Sequence, residues 1–136
     1  MIERTLMIIK PDAVKRNLVG AILERYERNR FKIVRAKLKH LTVGESEGFY
    51  AVHKARPFFK SLTTFMSSGP CLICVLEAEN AITRNRELMG ATDPKDAKPG
   101  TIRYEFAIDK EKNSVHGSDA PDTAKFEIGY FFKDIE

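Results

Sequence analysis

No glycine in this 136-residue chain is followed by lysine, and no GxGxxG occurs, so both common glycine cradles that hold phosphate on backbone N–H groups are missing. Any nucleotide phosphate must therefore be held by side chains. Cysteine is scarce: Cys71 and Cys74 are the only two. Their CxxC lies in PCLICVLE, which reads as a buried strand, and residues three apart on a strand point to opposite faces. The pair can neither chelate one ion nor bridge. There is no second ligand pair for zinc and no helix N-terminus to activate a thiol, so both cysteines are expected to pack. Long apolar runs are missing as well, since Cys71 to Leu76 falls far short of the ~20 residues of a membrane helix. The opening MIERTLMIIKPD carries charges where a signal peptide needs an apolar stretch. It is expected to belong to the fold of a soluble cytoplasmic protein with no membrane partner.

Hydrophobic residues make up 43% and charged residues 31% of the chain, which excludes the disordered class. The length suits one domain, residues 1–136, around one core. The net charge of +4 comes from 23 basic and 19 acidic residues that are well mixed. That permits anionic partners such as phosphates without requiring them.

Thr5 to Lys10 reads as a short strand stopped by Pro11, which suits the first turn of a helix carrying Val14, Leu18, Ile22, Leu23 and Tyr26, with a break near Gly20. Phe31 to Lys39 alternates like a half-exposed strand. Thr42 and Glu45 are spaced as a capping box for a helix reaching Val52. A second helix is expected from Pro57 to about Ser67, a strand over Cys71 to Glu77, and a helix over Ala78 to Gly90. The loop Ala91 to Gly100 leads to a helical turn at Thr101 to Phe106, a brief strand at Ser114 to His116, and a last helix from Pro121 to Phe131. This order fits an α+β sandwich: a ferredoxin-like βαββαβ core whose antiparallel sheet is covered by helices.

His116, one of three histidines, sits in NSVHGSD among small polar residues that offer little packing volume. An imidazole can accept a phosphoryl group at neutral pH without prior loss of a proton. That role needs a group to fix the tautomer, room for the phosphate, and nearby cations. Glu127 is an available carboxylate, and Gly117 and Ser118 offer access. Lys10, Arg56, Arg86 and Arg103 are candidate cations, Lys10 most of all because it ends a buried strand. His40 and His53 read as surface or boundary residues. On chemistry alone, catalysis and structural hydrogen bonding both remain open for His116.

The segments TLMIIKPDAV, FYAVHKARPFF, SSGPCLICVLE, NRELMGATDP, KPGTIR and NSVHGSD, in order over nearly the whole chain, resemble the nucleoside diphosphate kinases. The resemblance implies that His116 is the nucleophile carrying the γ-phosphate of a nucleoside triphosphate to a nucleoside diphosphate, in a ping-pong cycle through phosphohistidine. Glu127 would orient His116 and Ser118 would hold Glu127. Lys10, Tyr50, Arg86, Thr92, Arg103 and Asn113 would surround the phosphates and sugar, and Phe58 would stack on the base. Mg2+ would be held mainly by the nucleotide phosphates rather than by protein ligands.

Three positions depart from the family pattern: Lys110, where a small aliphatic residue usually walls the base slot, and Tyr104 with Glu105 after Arg103. The loop Ala91 to Gly100, with Pro94, would pack between subunits of a homo-oligomer, a tetramer or hexamer built from dimers. The chain end at Glu136 would leave out an extension some hexamers use.

Two other classes fit less well. An RNA-binding sheet wants exposed aromatics on central strands, which TLMIIK and PCLICVLE lack, so nucleic acid is not the expected primary partner. A non-catalytic nucleotide-binding member of the family would have lost its nucleophile or phosphate ligands, and these positions are filled.

Overall fold

β1 (Ile2–Ile9) is buried from Thr5 onward, and its alternation explains the architecture. Leu6 and Ile8 enter one apolar cluster while Met7 and Ile9 enter another, because successive side chains leave a strand on opposite faces. A strand apolar on both faces needs cover on both. The computed structural model, which describes residues 1–134, supplies it. Four strands, β1, β2 (Lys32–Lys39), β3 (Cys71–Glu79) and β4 (Val115–Gly117), lie in the order β2-β3-β1-β4, and every neighbouring pair is antiparallel.

One face is covered by α1 (Pro11–Lys15), α2 (Val19–Arg28) and α5 (Ala81–Met89), which contribute Ala13, Ile22, Tyr26, Ala81 and Met89 to the cluster around Met7. The other is covered by α3 (Val43–Phe49), α4 (Phe59–Met66) and α7 (Pro121–Phe131), through Phe49, Met66 and Phe131. This is the expected ferredoxin-like α+β arrangement. Cys71 and Cys74 fall into different clusters and are free thiols, their pKa values pushed up to about 12 by burial. They pack, as the strand geometry required. The chain end that bears on hexamer contacts lies at residues 135–136, outside the described residues.

Several boundaries differ from the sequence reading. The first helix breaks not near Gly20, which sits inside α2, but at Asn17, whose φ of 61° takes the left-handed region that asparagine tolerates. β1 starts at Ile2 because Ile2 and Glu3 pair with Glu79 and Ala78. The same pairing extends β3 and delays α5 to Ala81, after Asn80 at φ 49°. Thr42 and Glu45 do form the capping box, but α3 stops at Phe49 and a 3-10 turn, Ala51–His53, follows. α4 begins at Phe59 rather than Pro57. β4 runs one residue later than expected, at Val115–Gly117; Ser114, at φ 75°, leaves the extended conformation although its carbonyl still accepts from Lys10 N at 2.9 Å. The expected short helix becomes α6 (Ile102–Phe106), capped by Thr101.

Candidate active site

β4 pairs with β1 so that His116 lies opposite Ile8 and Gly117 opposite Met7. His116 therefore faces the α3–α7 side, and Gly117 faces α5. On its side the imidazole meets the rings of Phe49 and Tyr50 edge-on, with centroids at 5.3 and 5.9 Å. Its Nε2 lies 2.9 Å from Oε1 of Glu127, which α7 delivers. An ionised carboxylate can only accept, so Nε2 carries the proton and Nδ1 keeps its lone pair. Nδ1 has no hydrogen-bond partner among the described residues. Ser118 Oγ donates to the same Glu127 oxygen at 2.8 Å and accepts from Leu6 N at 3.3 Å, anchoring the carboxylate to β1. The expected trio of His116, Glu127 and Ser118 is thus assembled.

Gly117 is small for a reason the sequence did not reveal. A Cβ there would come within 2.7 Å of Met89 Cε and closer still to Asn85 Nδ2. It admits α5, whereas Ser118 is fully buried; neither provides the access to His116 that the sequence reading gave them. Gly117→Ala should therefore destabilise the protein by about 1–3 kcal/mol through overpacking. A fall in the urea midpoint checks this.

Lys10 follows β1 directly and is 6% exposed. Its Nζ donates to Asn113 Oδ1 at 2.9 Å and to the Glu111 carbonyl at 3.1 Å. Burial, then the charge of Arg103, lowers its pKa to about 8. Below pH 8 Lys10 is charged in both folded and unfolded states, so the cost of burying the charge is fully present. Between about 8 and the ordinary 10.5 the unfolded chain holds the extra proton, and stability rises with pH. The difference in unfolding free energy between wild type and Lys10→Met should change across that window and be flat below it; denaturation at a series of pH values reads this.

Arg103 is 9% exposed. Its Nη1 donates to the Gly90 carbonyl at 3.0 Å and its Nη2 to the carbonyl of Val115, next to His116, at 2.8 Å, while Nε is buried with no partner among the described residues. Burial lowers its pKa to about 10. Asn113 is held through Nδ2 by the carbonyls of Thr92 and Lys110, at 3.1 and 2.8 Å. Tyr50 has a buried hydroxyl with no partner among the described residues, and its pKa is pushed up by burial and then by Glu127. Arg86 is exposed on α5 and lines a cleft of about 670 Å³ with Thr101 and Asp119. The Asp119 carboxyl is held low by the Thr123 hydroxyl, with help from the charge of Arg86. His116 lines neither this cleft nor a larger one of about 1370 Å³ between α1 and α4.

Not every expected residue makes a direct contact with this group. The Thr92 and Lys110 side chains are exposed and only their carbonyls take part. Arg56 is exposed. Phe58, 46% exposed, connects through His53, whose ring lies 5.5 Å from Phe58 and 6.5 Å from Tyr50. His53, half-buried, therefore links two site residues. Its three-residue spacing from Tyr50 was the signal available in the sequence. Asn85, which accepts from the Tyr26 hydroxyl at 2.7 Å behind Gly117, left no such signal. Among the described residues no group of three or more His, Cys, Asp or Glu side chains could hold a metal ion.

An imidazole with a fixed tautomer and a lone pair left over can take up an electrophilic group and release it again, the chemistry of a histidine-dependent transferase. The family model described as Nucleoside diphosphate kinase matches residues 3–136. A nucleoside diphosphate kinase of Francisella philomiragia is 61% identical over 134 residues, covering 98% of this chain and 96% of that protein. One from Desulfosudis oleivorans is also 61% identical, with the same coverage. Among solved structures, the Aquifex aeolicus nucleoside diphosphate kinase superposes with a TM-score of 0.96 at 45% identity, covering 97% of this chain and 96% of that one. A halophilic nucleoside diphosphate kinase from Halobacterium salinarum, in complex with CDP, gives 0.94 at 41% identity, covering 98% and 90%. The chain belongs to the nucleoside diphosphate kinase family.

Proposed function

We propose that the protein transfers the γ-phosphate of a nucleoside triphosphate, typically ATP, to a nucleoside diphosphate through a phosphohistidine on His116. The observation that carries this reading is the 2.9 Å contact from His116 Nε2 to Glu127, which leaves Nδ1 as the nucleophile. In the first half-reaction the Nδ1–P bond forms as the bond from γ-phosphorus to the β,γ-bridging oxygen breaks, and the nucleoside diphosphate departs. In the second, a terminal oxygen of another diphosphate attacks the phosphohistidine, and Nδ1 regains its lone pair. The Nε2 proton stays between His116 and Glu127 throughout, and the carboxylate offsets the positive charge that develops on the ring.

Lys10, Arg86 and Arg103 would meet phosphate charge, with Tyr50, Thr92 and Asn113 as polar partners of the phosphates and sugar and Phe58 stacking on the base. Stacking reads no hydrogen-bond pattern, which suits broad base acceptance. Lys110 would pack its methylene stem on the other face of the base. Magnesium enters as part of the nucleotide substrate, on phosphate oxygens. Because Lys10 sits near pKa 8, binding of a nucleoside diphosphate above pH 8 should take up a proton. Calorimetry in buffers of different ionisation enthalpy reads this uptake, which Lys10→Met should abolish.

The reading extends to one domain over residues 1–136, a cytoplasmic setting, and a homo-oligomer, tetramer or hexamer built from dimers. In support of the oligomer, β2 is an outer strand of the sheet, and Ile2, Leu38 and Val43 are more than half exposed. No helix among the described residues is long and apolar enough to cross a membrane.

Initial-rate kinetics test the mechanism. Parallel double-reciprocal lines, with ATP–ADP phosphate exchange in the absence of a second nucleotide, are expected. Intersecting lines without exchange would mean direct transfer between two bound nucleotides and would overturn the phosphohistidine route.

A further inference from the structure

α6 has five residues, too few to be stable on its own, yet it carries Arg103. Among the described residues its one cap interaction from a side chain is Thr101 Oγ1 accepting from Tyr104 N at 3.3 Å. Two residues before it, Gly100 takes φ 92°, in the left-handed region that favours glycine. Something outside the helix must hold it.

Ile102 anchors it in the core and Arg16 Nη2 donates to the Phe106 carbonyl at 2.6 Å, but the contacts at both ends come from α2. The Arg25 side chain is only 12% exposed, and it is ion-paired with Glu105. Its Nη1 donates to the Gly100 carbonyl at 3.1 Å, and its guanidinium lies 5.6 Å from the Phe106 ring centroid. One planar, five-donor group thus touches α6 just before its start and twice at its end, a fork geometry that lysine cannot reproduce. Between these points, on the same helix, Arg103 reaches the Gly90 and Val115 carbonyls.

We propose that Arg25 is a positioning residue for phosphoryl transfer: by clamping both ends of α6 it fixes the direction from which the Arg103 guanidinium meets phosphate. Arg25 touches no substrate and acts through Arg103. The proposal rests on the reading of Arg103 as a phosphate-binding group. Glu105, one of the departures from the family pattern, is the acidic half of the clamp.

A double-mutant cycle on the full-length enzyme tests it, with kcat/KM for transfer from ATP to a nucleoside diphosphate as readout. Arg103→Ala should lower kcat/KM by about 100-fold and Arg25→Ala by about 10-fold, and the double variant should be no worse than Arg103→Ala alone, because residues acting as one unit are not additive. Arg25→Lys, which keeps the charge but not the fork, should fall between wild type and Arg25→Ala. If Arg25→Ala does not fold, the cycle is run with Glu105→Gln, whose side chain is 37% exposed and which keeps an acceptor for Arg25; a fall of about 2- to 5-fold that disappears in the Arg103→Ala background is expected. Multiplicative losses in the double variant, or full activity in the single Arg25 or Glu105 variants while Arg103→Ala is impaired, would overturn the role of Arg25 and leave Arg103 as assigned. Full activity in Arg103→Ala would instead overturn the phosphate-binding reading beneath it.

Discussion

His116→Ala lowers phosphoryl transfer by about 10⁴-fold or more, since removal of a covalent nucleophile leaves only binding and electrostatics to act on the barrier. The fold should survive. His116 sits on the three-residue outer strand β4, and its side chain, 19% exposed, is not part of either apolar core cluster. Phe49 also packs against Phe131, at 5.0 Å between centroids, a contact the substitution leaves in place. Nucleoside diphosphate binding, which on this account depends on Lys10, Asn113 and Arg103, should change by less than about 10-fold. Transfer measured by a coupled assay, beside nucleotide binding measured by calorimetry, checks both halves of the expectation. A variant that lost binding and transfer together would point to a collapsed site.

Replacement of Glu127 should have the next largest effect, and two substitutions separate its two roles. Glu127→Ala removes the acceptor that fixes Nε2–H and leaves the Ser118 hydroxyl, itself buried, without its 2.8 Å partner. Nδ1 is then protonated in part of the population, and transfer should fall by about 100-fold, the upper range for loss of a group that orients a functional histidine. Glu127→Gln keeps an oxygen that can accept from both His116 Nε2 and Ser118 Oγ, so the tautomer persists, but the charge that balances the phosphorylated ring is gone. A fall of about 10-fold is expected. Equal losses in the two variants would mean that charge, not tautomer, is the main contribution of Glu127; single-turnover phosphorylation rates resolve the two.

His116 and Lys10 stood out because they violate packing logic locally, whereas Tyr50, Thr92, Asn113 and Phe58 were reached only through the family resemblance. A histidine among serine and glycine has neighbours of little packing volume, and a lysine at the end of a run as apolar as TLMIIK is unusual in a core. The capping box at Thr42 and Glu45 was equally local, and so was the placement of the two cysteines on opposite faces. What the sequence hid were relationships made by register. Nothing in NSVHGSD says that Gly117 faces α5; that follows only from its pairing with Met7. The longer β3 and the later start of α5 depend on pairing with Ile2 and Glu3, at the far end of the chain. The clamp of Arg25 on α6 joins segments about 75 residues apart, so no motif could announce it. The break at Asn17 instead of Gly20 shows the same limit at short range: glycine permits a left-handed turn, but the packing of Leu18, Val19 and Ile22 against the core decides where the turn falls.

The most direct test of the account is to incubate the protein with γ-labelled ATP and magnesium, without an acceptor, beside His116→Ala. The prediction is label on the wild type alone, labile in acid and stable in base, as a phosphoramidate should be, and released as a new triphosphate when a nucleoside diphosphate is added. Wild-type protein that stays unlabelled, or label that persists in His116→Ala, would contradict the assignment of His116 as the phosphoryl carrier.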